Sequence, residues 1–137
     1  MKKINIGKKE IIHFVGIGGI GMSGLAQIMK MMDFKVQGSD LSTNKNIENC
    51  RKIGIKFFLN HKKNNLRNAT IIVKSSAIKS NNIELIEAKS KKIPIYDRAE
   101  MLANVIAFKK NIIVTGSHGK TTTTSLISKI LSEAKLD

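Results

Sequence analysis

Apolar residues along the chain fall into two alternating patterns. Short contiguous runs, bounded by glycine or polar residues, occupy positions 11–16, 34–38, 55–59, 70–74 and 93–96. Each has the length of a buried strand, and the contiguous Ile71, Ile72 and Val73 suit a strand covered on both faces. Between the runs, apolar positions recur at helical spacing. Met22, Leu25, Ala26, Met29 and Met32 mark a helix over 21–32, and a second over 46–52 is closed by Gly54. Ile83, Ile86 and Glu87 place a third over 82–91, and Leu102, Val105 and Ile106 a fourth over 99–108. The single proline, Pro94, lies in the short fifth strand. Strands alternating with helices through short loops predict an α/β fold, a parallel sheet with helices on both faces.

The pattern then restarts. A polar break at 109–111 precedes an apolar run at 112–115, a glycine-bearing loop, and a helix with Leu126, Ile127, Ile130 and Leu131 on one face. One strand and one helix cannot bury their own apolar faces. Residues 1–108 therefore read as a complete small domain. Residues 109–137 either add to that domain's sheet or open a second domain as its first strand–loop–helix unit.

Composition narrows the class. No apolar run reaches the roughly 20 residues of a membrane span, and the basic, polar first ten residues lack the apolar core of a secretion signal. One cysteine, Cys50, excludes an internal disulfide framework, so a cytoplasmic setting is expected. The net charge of +14 invites a nucleic-acid reading. The basic residues are 21 Lys and only 3 Arg, and Lys, Ile and Asn together make up 55 of the 137 residues. That joint excess points to AT-rich coding. The lysines are scattered, largely in pairs such as 62–63 and 109–110, and only Tyr96, with no tryptophan, accompanies them. Neither nucleic acid nor membrane is expected as a partner.

Two glycine loops carry the chemistry. Gly16-Ile17-Gly18-Gly19-Ile20-Gly21 follows the first strand and opens the first helix, the context that a G-x-G-x-x-G loop requires. Such a loop lets backbone approach a diphosphate at a helix N-terminus. Asp40, at the end of the second strand, stands where a ribose hydroxyl is held in dinucleotide binders. On spacing alone a nicotinamide or flavin cofactor fits. The second loop, Gly116-Ser117-His118-Gly119-Lys120-Thr121-Thr122, is shorter than the usual G-x-x-x-x-G-K-[ST] phosphate loop, with Val114 five residues before Gly119. Its backbone N–H groups can ring a phosphate, Lys120 can reach the terminal phosphates of ATP, and Thr121 or Thr122 can ligate Mg²⁺. Four consecutive threonines, Thr121 to Thr124, are poor helix formers and argue against a purely structural turn. A dehydrogenase has no use for the second loop and a simple ATPase none for the first. An enzyme spending ATP on a nucleotide-linked substrate needs both.

Five blocks in this order resemble the Mur ligase family. They are the run from His13 to Ala26, Gly38-Ser39-Asp40, Ser75-Ser76-Ala77-Ile78, Arg98-Ala99-Glu100-Met101-Leu102, and Gly116 to Thr124, with serine at 117 where the family usually has threonine. Within the family the blocks look most like the members that join L-alanine to UDP-N-acetylmuramate. The resemblance implies a Rossmann-like UDP-binding domain followed by the first β–P-loop–α unit of a truncated ATPase domain, with the remainder of the ligase missing. It also implies that the first loop faces the UDP of the substrate. Gly16, Gly18, Gly19, Ile20 and Gly21 would meet the diphosphate, with Asp40, His61 and the Ser75, Ser76, Ala77 loop near the uridine and Arg98 orienting the substrate. Lys120 and Thr121 would be catalytic, with ATP at Gly116, Ser117, His118, Gly119, Lys120, Thr121 and Thr122, and Mg²⁺ at Thr121. The implied chemistry is ATP-dependent formation of an acyl phosphate that L-alanine attacks. The alternatives are a non-catalytic UDP-sugar-binding remnant and a nicotinamide-dependent oxidoreductase. His13, Cys50, Met22, Met29 and Met32 read as packing residues, and His118 as a residue shaping its loop.

Overall fold

A computed structural model describes residues 6–108 and 110–135 of the chain. The lysine pair 109–110 and the polar break at 109–111 thus fall partly outside the described residues. Five strands form one parallel sheet: β1 (Ile11–Val15), β2 (Lys35–Asp40), β3 (Lys56–Leu59), β4 (Ile71–Lys74) and β5 (Ile95–Asp97), in the order β3-β2-β1-β4-β5. Every expected strand of the first unit is present, displaced by one or two residues at its ends. β1 lies centrally, paired with β2 on one side and β4 on the other. That is the point where a doubly wound sheet reverses its strand order and opens a crevice at the carboxyl edge.

Helices cover both faces, as expected. On one, α1 (Ile20–Met31), α2 (Lys45–Lys52) and α4 (Arg98–Ile106) pack over Ile12, Phe14, Val36, Ile71 and Val73. Met22, Leu25, Ala26 and Met29 of α1 and Ile47 and Cys50 of α2 fill this layer, so the sulfur residues serve as core. Burial pushes the Cys50 thiol up, which keeps it unreactive. On the other face a 3₁₀ turn (Lys63–Leu66) and α3 (Ile83–Ser90) cover Val15 and Ile72 with Leu66, Leu85 and Ala88.

α3 does not present the face that its hydrophobic residues suggest. Ile83 and Ile86 are exposed, and Glu84, Leu85 and Ala88 are buried. The reason is polar. The side of the sheet beneath α3 carries His13 and Gln37 side by side in register and Ser39 two residues beyond Gln37. A carboxylate suits these residues better than an isoleucine.

The second unit departs from expectation. Residues 112–115 form no strand. A strand exists only as part of a ladder, none of the described strands pairs with this run, and Ile112 and Ile113 stand 63% and 73% exposed. Helix α5 (Lys120–Glu133) forms as expected, yet buries none of its residues. Its expected apolar residues Leu126 and Ile130 are exposed.

Candidate functional site

The crevice at the carboxyl ends of β1, β2 and β4 brings together most residues of the first predicted site. The glycine loop leaves β1 through Gly16, whose φ of +82° strains any side chain, and whose Cβ would lie 3.2 Å from Ser75 and 3.3 Å from Ile78. The N–H groups of Gly16 and Ile17 both donate to the Ser39 carbonyl, at 2.9 and 3.0 Å. The loop therefore crosses over β2, where Ile17 lies against Gly38.

Gly18 is fastened through both its N–H and its carbonyl. Its N–H donates to Asp40 Oδ2 at 2.8 Å, and its carbonyl accepts from Asn44 Nδ2 at 3.1 Å and Asn46 Nδ2 at 2.9 Å. In this arrangement Asp40 takes the Gly18 amide hydrogen. Asp40 Oδ1 in turn accepts from the Leu41 N–H at 2.8 Å. Asp40 thus anchors the loop, and Asn44 and Asn46, absent from the predicted set, share that role. Asn44 also caps α2, accepting from Ile47 N–H at 3.0 Å.

The loop leads into an uncapped helix. No side chain caps α1 at Gly19 and its first turn has no acidic residue. The first intrahelical bond runs from Ser23 N–H to the Gly19 carbonyl, leaving the amides of Ile20, Gly21 and Met22 at the positive end of the helix dipole. Ile20 is exposed beside them. The Arg98 guanidinium comes here from the start of α4: a Cβ on Gly21 would lie 3.2 Å from its Nη1. α4 is set by Glu100, whose carboxylate accepts the Asp97 N–H at 2.9 Å, while Asp97 pairs with Lys74 at the end of β4. Ser75 accepts the Ala77 N–H at 3.3 Å, which shapes the β4 loop, and Ser76 and Ala77 stay exposed. Backbone amides and a guanidinium converge on one place, an arrangement suited to a phosphate group.

His61 is not a solvated loop residue. Its side chain is only 8% exposed, and Nδ1 lies 3.0 Å from both Ser39 Oγ and Glu84 Oε2. Glu84 is wholly buried. Its Oε2 accepts from Ser39 Oγ at 2.6 Å and lies 3.4 Å from His13 Nε2, and its Oε1 accepts from Asn65 Nδ2 at 2.7 Å. Burial alone would raise this carboxyl. The hydrogen bonds from His13, Ser39 and Asn65 outweigh it and hold the group at about 2. Glu84, Gln37 and Asn65 were missed at the sequence level.

The second loop is built separately. Gly116 and Gly119 have φ of +145° and +75°. Lys120 folds back so that Nζ donates to the Gly116 carbonyl at 2.5 Å and lies 3.4 Å from that of Ser117. α5 starts at Lys120 without a side-chain cap, and its first helical bond runs from Thr123 N–H to Gly119 O at 3.0 Å. Ser117, His118, Thr121 and Thr122 are exposed around it. Among the described residues, no group of three His, Cys, Asp or Glu side chains could hold a metal ion. No helix there is long and apolar enough to cross a membrane.

The model of the Mur ligase family, catalytic domain, matches residues 11–110. The chain belongs to the Mur ligase family. Two similar relatives are UDP-N-acetylmuramate–L-alanine ligases, from Pelagibacter ubique (strain HTCC1062), 66% identical over 135 residues, and Brucella ovis, 48% identical over 134. These matches cover 98% of this chain and 29% and 28% of the relatives, so the chain spans under a third of their length. Among solved structures, the UDP-N-acetylmuramate-alanine ligase MurC of Thermotoga maritima superimposes with a TM-score of 0.82 at 33% identity, covering 90% of this chain and 29% of that one. A murein peptide ligase from Psychrobacter arcticus gives 0.81 at 26% identity over 92% of this chain and 27% of its own. This Mur ligase chain thus has the α/β fold of its relatives, and its ligase family ties it to peptidoglycan synthesis.

Proposed function

We propose that this chain carries the nucleotide-substrate domain, residues 1–108, and the ATP phosphate loop, within residues 109–137, of an ATP-dependent ligase joining L-alanine to the lactyl carboxylate of UDP-N-acetylmuramate. One observation carries the reading. The Arg98 guanidinium overlies Gly21 at the uncapped start of α1, at the switch point of the sheet, so a diphosphate there meets both amides and a cation. The high identity to L-alanine ligases favours that amino acid over the substrates of the murein peptide ligases.

In this reading the loop of Gly16, Gly18, Gly19, Ile20 and Gly21 positions the UDP diphosphate, through the amides of Ile20 and Gly21 and through Arg98. Asp40 anchors the loop through the Gly18 N–H, beside the nucleoside. The Ser75, Ser76, Ala77 turn and His61 flank the nucleoside. The loop Gly116, Ser117, His118, Gly119 holds ATP phosphates on the N–H groups of Lys120, Thr121 and Thr122. Lys120 neutralises charge as the γ-phosphoryl group moves to a carboxylate oxygen and ADP departs. The amine then attacks the acyl carbon and inorganic phosphate leaves. The Thr121 hydroxyl would be one ligand to Mg²⁺, which would supply further charge neutralisation.

Calorimetric titration with UDP tests the reading. Arg98→Ala is expected to weaken UDP binding about tenfold, the worth of one charge-assisted hydrogen bond. An unchanged affinity would remove the diphosphate from this place.

A further inference from the structure

The buried cluster behind His61 has a proton order that its partners dictate. The Asn65 carbonyl can only accept, and Gln37 Nε2 lies 2.8 Å from it, which fixes the orientation of the Gln37 amide. The second hydrogen on that nitrogen points to His13 Nδ1 at 3.1 Å. His13 Nδ1 is therefore an acceptor, and the His13 proton sits on Nε2, toward Ser39 Oγ at 3.3 Å and Glu84 Oε2 at 3.4 Å. Ser39 has one proton, and its 2.6 Å contact gives that proton to Glu84. Neither the carboxylate nor the committed hydroxyl can then donate to His61. The proton between them and His61 must belong to His61 Nδ1. The two histidines on one carboxylate thus hold opposite tautomers.

His61 Nε2 is left over. Among the described residues none is bonded to it and no buried side-chain nitrogen or oxygen lacks a partner, so the 8% exposure of the ring includes Nε2. The ring lies at the carboxyl edge of the sheet: the neighbouring Asn60 N–H donates to the Asp40 carbonyl at 2.7 Å. Ser39 joins this ring to the glycine loop. Its hydroxyl touches His61 while its carbonyl holds the amides of Gly16 and Ile17.

We propose that Glu84, with Ser39, is a positioning residue for base recognition: it locks His61 with Nδ1 protonated, so that Nε2 is an acceptor for the N3–H of a uracil ring. This rests on the UDP reading above. Uracil carries a hydrogen at N3 and cytosine a lone pair, so an Nε2 acceptor selects UDP over CDP. A buried site built to accept a hydrogen disfavours the analogue without one.

Nuclear magnetic resonance of the full chain labelled with ¹⁵N-histidine, at pH 8, decides the matter. Wild-type protein is expected to show His61 as the Nδ1–H tautomer and His13 as Nε2–H. Added UDP should shift His61 Nε2 and leave His13 in place, and UDP should bind at least about tenfold tighter than CDP. Glu84→Gln should mix the His61 tautomers and bring the UDP-to-CDP ratio toward one. An Nε2–H tautomer at His61 in the wild type, or equal binding of UDP and CDP, overturns the proposal, and neither result depends on the variant folding. UDP saturation that leaves His61 unmoved overturns this proposal alone and spares the UDP reading. Absence of UDP binding overturns both.

Discussion

Gly38→Ala is expected to lower the unfolding free energy by about 3 kcal/mol, the upper end for overpacking a well-filled core, and to cost UDP binding along with it. A Cβ at this position would lie 2.6 Å from Ile17 Cδ1, 2.8 Å from Ile17 Cβ and 2.8 Å from the Phe14 carbonyl. The last is backbone of the neighbouring central strand, paired to Gly38 in register, and it cannot move aside without opening the β1–β2 ladder. Ile17 is the residue that the loop lays over β2, so the relief that remains is to lift the loop. Thermal melting measures the first effect, at about 15 °C for a domain of this size. Calorimetry with UDP measures the second. Gly24→Ala is the control, because nothing lies within 4 Å of a Cβ there. A melting temperature for Gly38→Ala equal to that of the control would show that the loop does not pack as described.

The second large effect is the acid dependence of the buried carboxylate. Glu84 titrates at about 2 in the fold, against an ordinary 4.5. Its folded value is the lower one, so its contribution is fully present above about pH 4.5 and disappears as pH falls toward 2. A separation of that size corresponds to about 3 kcal/mol. Glu84→Gln keeps the shape but brings an amide N–H₂ where His13, Ser39, His61 and Asn65 all converge. It should therefore cost about 2–3 kcal/mol at pH 7, the penalty for badly paired buried polar groups, and much less at pH 2.5. Urea unfolding of both proteins at the two pH values measures this. Parallel stability curves would mean that the carboxylate is not held by its neighbours.

The legible and illegible parts of the chain differ in what each depends on. β1 and β4 were readable because strands covered on both faces are contiguous in apolar residues. The glycine loop was readable because its spacing is local to one strand–helix junction. The buried face of α3 was not. Ile83 and Ile86 are the hydrophobic choice, and Glu84 is buried only because β1, β2, the segment after β3 and the 3₁₀ turn each bring it a polar partner. No window of sequence contains those partners together. The occupied amide of Gly18 has the same origin, since Asp40 lies 22 residues away. The run at 112–115 looks like a strand by composition, but ladder hydrogen bonds need a neighbour, and none of the described strands supplies one. His61 was placed at the site by resemblance, whereas its confinement by Glu84 and Ser39 came from the fold.

The central claim is that the β1–α1 loop serves a UDP-linked substrate and not a dinucleotide cofactor. The melting temperature of the 137-residue chain with UDP-N-acetylmuramate, and separately with NAD⁺, tests it most directly, because a ligand that binds only the folded state raises that temperature. The account predicts a rise of several degrees at saturating UDP-N-acetylmuramate, a smaller rise in Arg98→Ala at the same ligand concentration, and none with NAD⁺. A rise with NAD⁺ and none with the UDP-sugar would contradict it.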